Sequence, residues 1–180
     1  MTEEKPFSRV VRVDAVPREG QVIAIEAVRA EREKLASFYQ LPEIAALTAT
    51  LRVEPWGRGG AHVTGAVHGE VTQTCVVSLD PVPAIVDEEV DVRFAPDRAA
   101  NFQSGSTKEP QTFSLVDEDE PDPVIDGTID LGALTAEFLA LGLDPYPRKP
   151  GVALDEEHTT SPPTDTPFAE LGRRVKPRSD

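Results

Sequence analysis

The sequence predicts an α+β domain: a mainly antiparallel, curled or barrel-like sheet with a few packed helices and a disordered C-terminal tail. Five segments before residue 95 alternate or are rich in β-branched residues, as strands do. Short turns join most of these segments, which favours antiparallel pairing of neighbours. Two further segments carry the apolar spacing of helices, and such helices must cover an apolar sheet face.

The first forty-six residues predict two strands and then helix. Residues 8–13 and 21–28 are rich in β-branched and apolar side chains, and Arg18, Glu19 and Gly20 form a turn between them. Residues 30–39 contain good helix formers with an apolar cluster near their end. Because proline suits a first helical position, Pro42 predicts a second, short helical turn over residues 42–46.

Three more strands are expected over residues 47–53, 63–71 and 84–94. Apolar and polar residues alternate in each of them, which indicates sheets with one buried face. A glycine-rich turn over residues 56–60 separates the first two. Two glycines inside the second strand predict a bulge or a close approach of another backbone.

The clearest helix follows Asp130, which is a plausible N-cap, and ends at Gly142. Its apolar residues recur at spacings of three and four, which defines one helix face. We expect the members of this face to be buried together: Leu131, Leu134, Phe138 and Leu141.

Two stretches break the pattern and set the expected boundaries of a single domain at residues 6–150. Residues 97–123 are rich in Ser, Gly, Pro and acids, and they predict a mobile acidic insertion. Residues 151–180 are polar and proline-rich, and they predict a largely disordered tail with a short motif near residues 167–175. Residues 168–175 within it predict a short helical piece.

Charge is distributed unevenly along the 180 residues. The chain has 32 acids and 18 bases, a net charge of −14, and residues 61–147 hold seventeen of the acids and three of the bases. This balance argues against a nucleic-acid clamp and against DNA as a partner, because phosphate binding depends on Lys and Arg. A solvated loop is one interpretation of the densest acidic run; the other is a partner-binding surface formed by Asp117, Glu118, Asp119 and Glu120.

The composition places the chain in a reducing compartment and outside the membrane. One cysteine allows no internal disulfide and no four-cysteine zinc site. No apolar run approaches the ~18 residues of a membrane span, and the polar N-terminus is unlike a secretory signal. We therefore expect a cytoplasmic protein with no membrane partner.

The residues offer no support for catalysis, metal binding or a cofactor. Glycine-rich phosphate loops, nucleophile elbows and dinucleotide fingerprints are absent from the sequence. Strand alternation puts His62 and His68 on one face and Cys75 on the other, so they make a poor set of metal ligands. The neighbours of Cys75 include no base that would activate its thiol, which predicts a buried structural cysteine.

Three segments resemble the motifs of the YceD family, the large ribosomal RNA subunit accumulation proteins of bacteria. The central motif corresponds to residues 65–82, with Gly65, Gly69, Gln73, Cys75, Leu79 and Pro81. The second motif corresponds to residues 129–148, with Asp130, Leu131, Glu137, Pro145 and Pro147. A short motif at residues 167–171 includes Phe168, and residues 31–36 fit the proteobacterial branch.

The resemblance implies a role in the accumulation of large-subunit ribosomal RNA. Genes of this family commonly neighbour a large-subunit ribosomal protein gene, while their biochemical mechanism is poorly defined. Many members carry a second cysteine in the central motif, where this chain has Ser78. The resemblance therefore carries no cysteine pair, and no metal or redox role built on one, over to this chain.

Two functional hypotheses follow from the charge distribution and the resemblance. The first is a non-enzymatic assembly factor that binds a basic ribosomal protein or a large-subunit assembly intermediate through an acidic surface, with Phe168 as a further candidate contact. The second is a protein that binds or processes precursor ribosomal RNA. Its support is the basic run at residues 173–178 and the arginines of the first third, which predict weak direct RNA contact.

Overall fold

The structure, a computed structural model, describes residues 6–96 and 121–152. These residues form seven strands, two α-helices and one 3-10 turn at Val13–Ala15. In chain order the elements are β1 (Val10–Arg12), β2 (Gln21–Glu26), α1 (Arg29–Tyr39), β3 (Glu43–Trp56), β4 (Gly60–Thr74), β5 (Pro81–Pro96), β6 (Asp122–Val124), β7 (Thr128–Asp130) and α2 (Leu131–Leu141).

The main sheet has the strand order β2-β3-β4-β5-β6, and β1 pairs with β7 in a separate two-stranded sheet. All pairings are antiparallel except that of β5 with β6, which is parallel. The predicted α+β class with a mainly antiparallel sheet is confirmed. The described strands do not close into a barrel, however, because β6 has only three residues and offers no long partner on which β2 could close.

Three long strands, β3 to β5, form the centre of the sheet and pair along nearly their whole length. The β3–β4 turn contains Gly57 and Gly59, whose positive φ angles of 58° and 74° suit glycine and make the tight reversal. Residues 42–46 were expected to be helical, and this expectation is wrong. Glu43 and Ile44 instead pair with β4, which buries Ile44 in the core and outweighs the local helical preference.

One face of the sheet is buried and the other is exposed. Alternate residues of β2 to β5 point to the buried face, where they form a continuous core with α1 and α2. α1 lies beside β3, whereas α2 crosses β4 and β5. The inward residues with the least exposure are Leu47, Leu51, Val53, Ala61, Val63, Val67, Val86 and Val90.

The buried face of α2 differs from the one expected. Leu131 and Leu134 are buried as predicted and Phe138 is partly buried, but Leu141 is 69% exposed and Leu139 is fully buried. The reason is Gly69 of β4, where a Cβ atom would lie 2.4 Å from Leu139 Cδ1. The missing side chain lets the helix approach β4 with Leu139, and this rotates Leu141 towards solvent.

The two ends of α2 are as predicted. The Asp130 side chain accepts hydrogen bonds from the N–H groups of Gly132 and Ala133, both at 3.1 Å, which is the N-cap arrangement. It also accepts from the Arg9 N–H at 2.8 Å and so ties the start of the chain to this helix. Gly142 follows the last helical residue and donates to the Phe138 carbonyl.

Two expected segments lie largely outside the described residues. Only the end of the predicted insertion, residues 97–123, is described, and there Asp122 and Pro123 already belong to β6. Of the predicted tail, Gly151 and Val152 are described and complete a turn that begins at Lys149. Neither helix within the described ranges has the length and apolar character to cross a membrane.

Candidate functional site

Two distant stretches of the chain meet at one end of the sheet. We call residues 75–80, which follow β4, the Cys75 turn, and residues 144–149, which follow α2, the proline segment. The Val76 N–H donates to the Pro147 carbonyl at 2.9 Å, and buried Gln73 donates from Nε2 to the Asp144 carbonyl at 2.9 Å. Lys149 and Asp80 close the contact with an ion pair at 3.0 Å.

Cys75 lies at the centre of this junction. Its N–H donates to the Asp80 carbonyl and its carbonyl accepts from the Leu79 N–H, which closes the turn. Its Sγ atom accepts hydrogen bonds from the N–H groups of Ser78 and Lys149, both at 3.4 Å. Hydrogen bonding by the Ser78 side chain contributes most, followed by the N–H groups of Ser78 and Lys149, and together they lower the pKa of the Cys75 thiol to about 6. Cys75 is fully buried, and its sulfur accepts one hydrogen bond from the Cys75 turn and one from the proline segment. The sulfur therefore joins the two segments.

Cys75 is buried, as the sequence predicts, and its purely structural role stays a prediction. Its hydrogen-bond donors were not foreseen. The residues next to Cys75 include no activating group, and one of its donors belongs to Lys149, seventy-four residues along the chain. No local pattern could reveal that contact. Every residue except proline has a backbone N–H, so the sequence does not show which N–H group the fold brings to the sulfur.

Three exposed apolar side chains surround this junction, and we call them the apolar patch: Val76, Leu79 and Tyr146. They are 46%, 75% and 71% exposed. Leu79 has a φ of 62°, a left-handed conformation that costs a non-glycine residue roughly 1–2 kcal/mol. A strained backbone that presents a large apolar side chain to solvent is typical of an interaction surface.

The remaining motif residues have structural positions. Gly65 lies where β3 and β4 approach closely, since a Cβ atom there would be 2.1 Å from the Thr50 carbonyl oxygen. Gly69 admits α2, and Asp130 and Leu131 begin that helix. Pro81 begins β5, Pro147 is buried in the junction, and the exposed positions are Pro81, Glu137 and Pro145. The motif residues thus divide between building the core and forming the junction.

A second candidate surface is the exposed face of the sheet. We call its carboxylates the acidic face: Glu70, Asp87, Glu89 and Asp91. Strand alternation turns the three β5 acids outward at two-residue spacing. His68 on β4 hydrogen-bonds Asp87 at 2.6 Å, and His62 hydrogen-bonds Asp91 at 2.7 Å.

Negative charge extends beyond this face. The described parts of the acidic region, residues 61–96 and 121–147, carry eleven acids and one base, Arg93. The sequence predicts partner-binding residues elsewhere, at Asp117, Glu118, Asp119, Glu120 and Phe168. All five lie outside the described residues, so their role stays a prediction.

Five of the seven arginines in residues 1–60, which favoured RNA binding, are engaged within the protein. Four of them form ion pairs with neighbouring carboxylates at 2.6–2.8 Å: Arg9 with Glu31, Arg12 with Asp14, Arg29 with Glu33 and Arg52 with Glu54. Arg32 donates instead to the carbonyl groups of Ala27 and Ile44. A guanidinium that is already paired offers less to a phosphate backbone.

The described residues contain no group of three or more His, Cys, Asp or Glu side chains placed to hold a metal ion. His62 and His68 lie on the exposed face and Cys75 lies in the junction, which is the separation that strand alternation predicted.

The family model for large ribosomal RNA subunit accumulation protein YceD matches residues 63–177. The chain belongs to the YceD family. The match begins within β4, so it covers both segments of the junction and all four carboxylates of the acidic face of this YceD-family chain. No curated protein and no solved structure matches the chain. The name of the YceD family implies a role in the accumulation of large-subunit ribosomal RNA.

Proposed function

We propose that this protein is a non-enzymatic cytoplasmic factor that supports accumulation of large-subunit ribosomal RNA during ribosome assembly. It does so by binding a basic ribosomal protein, alone or within an assembly intermediate, through the acidic face. Membership of the YceD family supports the process. The single observation that carries the binding mode is the exposed row of Asp87, Glu89 and Asp91 on β5.

The geometry of the row suits an extended basic segment. Alternate residues of a strand are about 7 Å apart, so lysines or arginines at alternate positions of a partner would meet successive carboxylates. Two of the acids, Asp87 and Asp91, are held by histidines, which fixes their side chains before any partner arrives. Exposed charges of this kind mainly raise the association rate, over a Debye length of ~8 Å at physiological salt.

The RNA-binding hypothesis has less support from the described residues. The acidic face would repel phosphates, and the arginines named above have partners within the protein. Its remaining support is the basic run at residues 173–178, which lies outside the described residues. The first hypothesis predicts salt-sensitive binding of a basic protein, and the second predicts salt-sensitive binding of naked RNA.

The test measures association rates against ionic strength for purified basic large-subunit ribosomal proteins and for naked ribosomal RNA. The variant combines Asp87→Asn, Glu89→Gln and Asp91→Asn, which keeps an oxygen acceptor for each histidine. The control combines Asp122→Asn, Asp126→Asn and Glu137→Gln, which removes the same charge outside the acidic face.

We expect the acidic-face variant to associate with a ribosomal protein roughly tenfold more slowly at low salt, with a flatter salt dependence than the control. A further variant that neutralises Asp117, Glu118, Asp119 and Glu120 tests whether those residues add to the same effect. Tight binding of naked ribosomal RNA, with no binding of any ribosomal protein, would replace the proposal with the RNA hypothesis.

A further inference from the structure

Binding through the charges of the acidic face does not account for the exposed apolar patch. Its side chains come from the Cys75 turn and the proline segment, which are joined through Val76, Gln73, Cys75 and Lys149. This network holds the patch in place before anything binds. A preorganised apolar surface binds with less loss of conformational entropy than a flexible one.

We propose that the patch is a docking site for the C-terminal motif of the same chain, residues 168–175. This motif has apolar residues at Phe168, Leu171 and Val175, which share one face in a helical conformation. The proposal is independent of the acidic face. It assigns the patch an intramolecular partner.

The course of the chain supports this occupant. The Lys149 N–H bonds Cys75, and the Val152 N–H bonds the Lys149 carbonyl at 3.2 Å, so the last described residues lie in a turn attached to the junction. Fifteen residues separate Val152 from Phe168. A random-coil chain of fifteen residues spans about 20 Å on average, so this length of chain is sufficient for the motif to return to the patch at high effective concentration.

Charge supports the same pairing. The motif and the residues after it carry Arg173, Arg174, Lys176 and Arg178, with one acid between residues 168 and 179. The described part of residues 61–149, which includes both segments of the junction, has eleven acids and three bases, two of which are Arg148 and Lys149 beside the patch. The family match over residues 63–177 includes both the patch and the motif.

The test uses the full chain with a nitroxide label on Thr166→Cys, directly before the motif. Cys75, the one other cysteine, is fully buried, and the mass of the product confirms a single label. Paramagnetic broadening of the amide signals of Val76, Leu79 and Tyr146 reports docking. The matched control carries the same label with Phe168→Ser and Leu171→Ser.

A second pair of variants tests the patch itself. Leu79→Asn removes the apolar side chain while keeping a residue that tolerates positive φ, and Ile125→Asn removes an equally exposed apolar side chain elsewhere. We expect Leu79→Asn to abolish the broadening at Val76 and Tyr146 and Ile125→Asn to leave it unchanged. Trypsin cleavage after Arg173 and Arg174 should be roughly tenfold faster in Leu79→Asn than in the wild type.

Four outcomes would overturn the proposal. The label could leave the patch signals unbroadened, or Leu79→Asn could behave as Ile125→Asn does. Broadening seen only when labelled and isotope-enriched copies are mixed would assign the patch to a second molecule. Patch signals that respond to an added ribosomal protein and never to the label would assign it to that partner.

Discussion

Cys75 joins two segments of the chain through its sulfur atom, and this has a consequence for the pH dependence of stability. Hydrogen bonds from Ser78 and Lys149 lower its pKa to about 6, against an ordinary value of 9.0 in the unfolded chain. Between these values the unfolded state binds a proton that the folded state lacks, so stability rises with pH. Below about pH 6 both states are protonated and the contribution is lost.

We therefore expect the wild type to gain stability from about pH 6 to pH 9.0 relative to Cys75→Ala. Urea unfolding midpoints at a series of pH values measure the difference. Equal slopes for the two proteins would mean that the folded thiol keeps its ordinary pKa.

Substitution of Gly65 and of Gly127 distinguishes two costs of adding a side chain to a glycine, namely backbone strain and steric clash. Both have positive φ, but a Cβ at Gly65 would lie 2.1 Å from the Thr50 oxygen, whereas nothing lies within 4 Å at Gly127. Gly127→Ala should therefore cost about 1 kcal/mol of unfolding free energy from backbone strain alone. Gly65→Ala should cost about 1–3 kcal/mol more, because β3 or β4 must move. Similar losses in urea unfolding would contradict the close approach of the strands.

At the scale of elements, α2 provides the sharpest test of the fold. Leu139→Ala should lower the unfolding free energy by about 2–5 kcal/mol, because the side chain is fully buried over Gly69. Leu141→Ala, in the same helix and 69% exposed, should change it by less than about 0.5 kcal/mol. Chemical denaturation of both variants measures this. A larger loss of unfolding free energy for Leu141→Ala than for Leu139→Ala would mean that Leu141 is buried, as the sequence predicted.

Local patterns could predict the long strands, α1 and the caps of α2, because alternation and capping are written in neighbouring residues. They could not predict that Ile44 would extend β3, since its pairing partner Val71 is far along the chain. Nor could they predict the three-residue strands β6 and β7, which are too short to show a period. The rotation of α2 depends on Gly69, a residue of another element.

The candidate site shows the same division. Resemblance to family motifs singled out Gln73, Cys75 and Pro147 without saying that they meet. The exposure of Leu79 and its positive φ are properties of the folded turn, which no composition rule indicates. The acidic character of residues 61–147 was evident from counting, but the concentration of three acids on one strand face required the register of β5.

At the scale of the whole molecule, the acidic face and the Cys75 thiol should contribute differently to function in a cell that lacks the native protein. Folded Cys75→Ala should restore large-subunit ribosomal RNA to near wild-type levels, because the buried sulfur has a structural role. The acidic-face variant should fold and yet restore less. The ratio of large-subunit to small-subunit ribosomal RNA measures both. A stable Cys75→Ala protein that fails completely would give the thiol a chemical function.

The outward acids of β5 also bear on self-association. Within the described residues, β6 pairs only with Phe94 to Pro96, so most of the 16-residue strand has an open edge. Open edges of this length template pairing between copies and lead to aggregation unless charges or prolines interrupt them. Strand β5 has both kinds of interruption: the charges of Asp87, Glu89 and Asp91, and the prolines Pro81 and Pro83. The carboxylates that would draw in a basic partner therefore also keep two copies of this edge apart, and only an extended segment of opposite charge could approach it without repulsion.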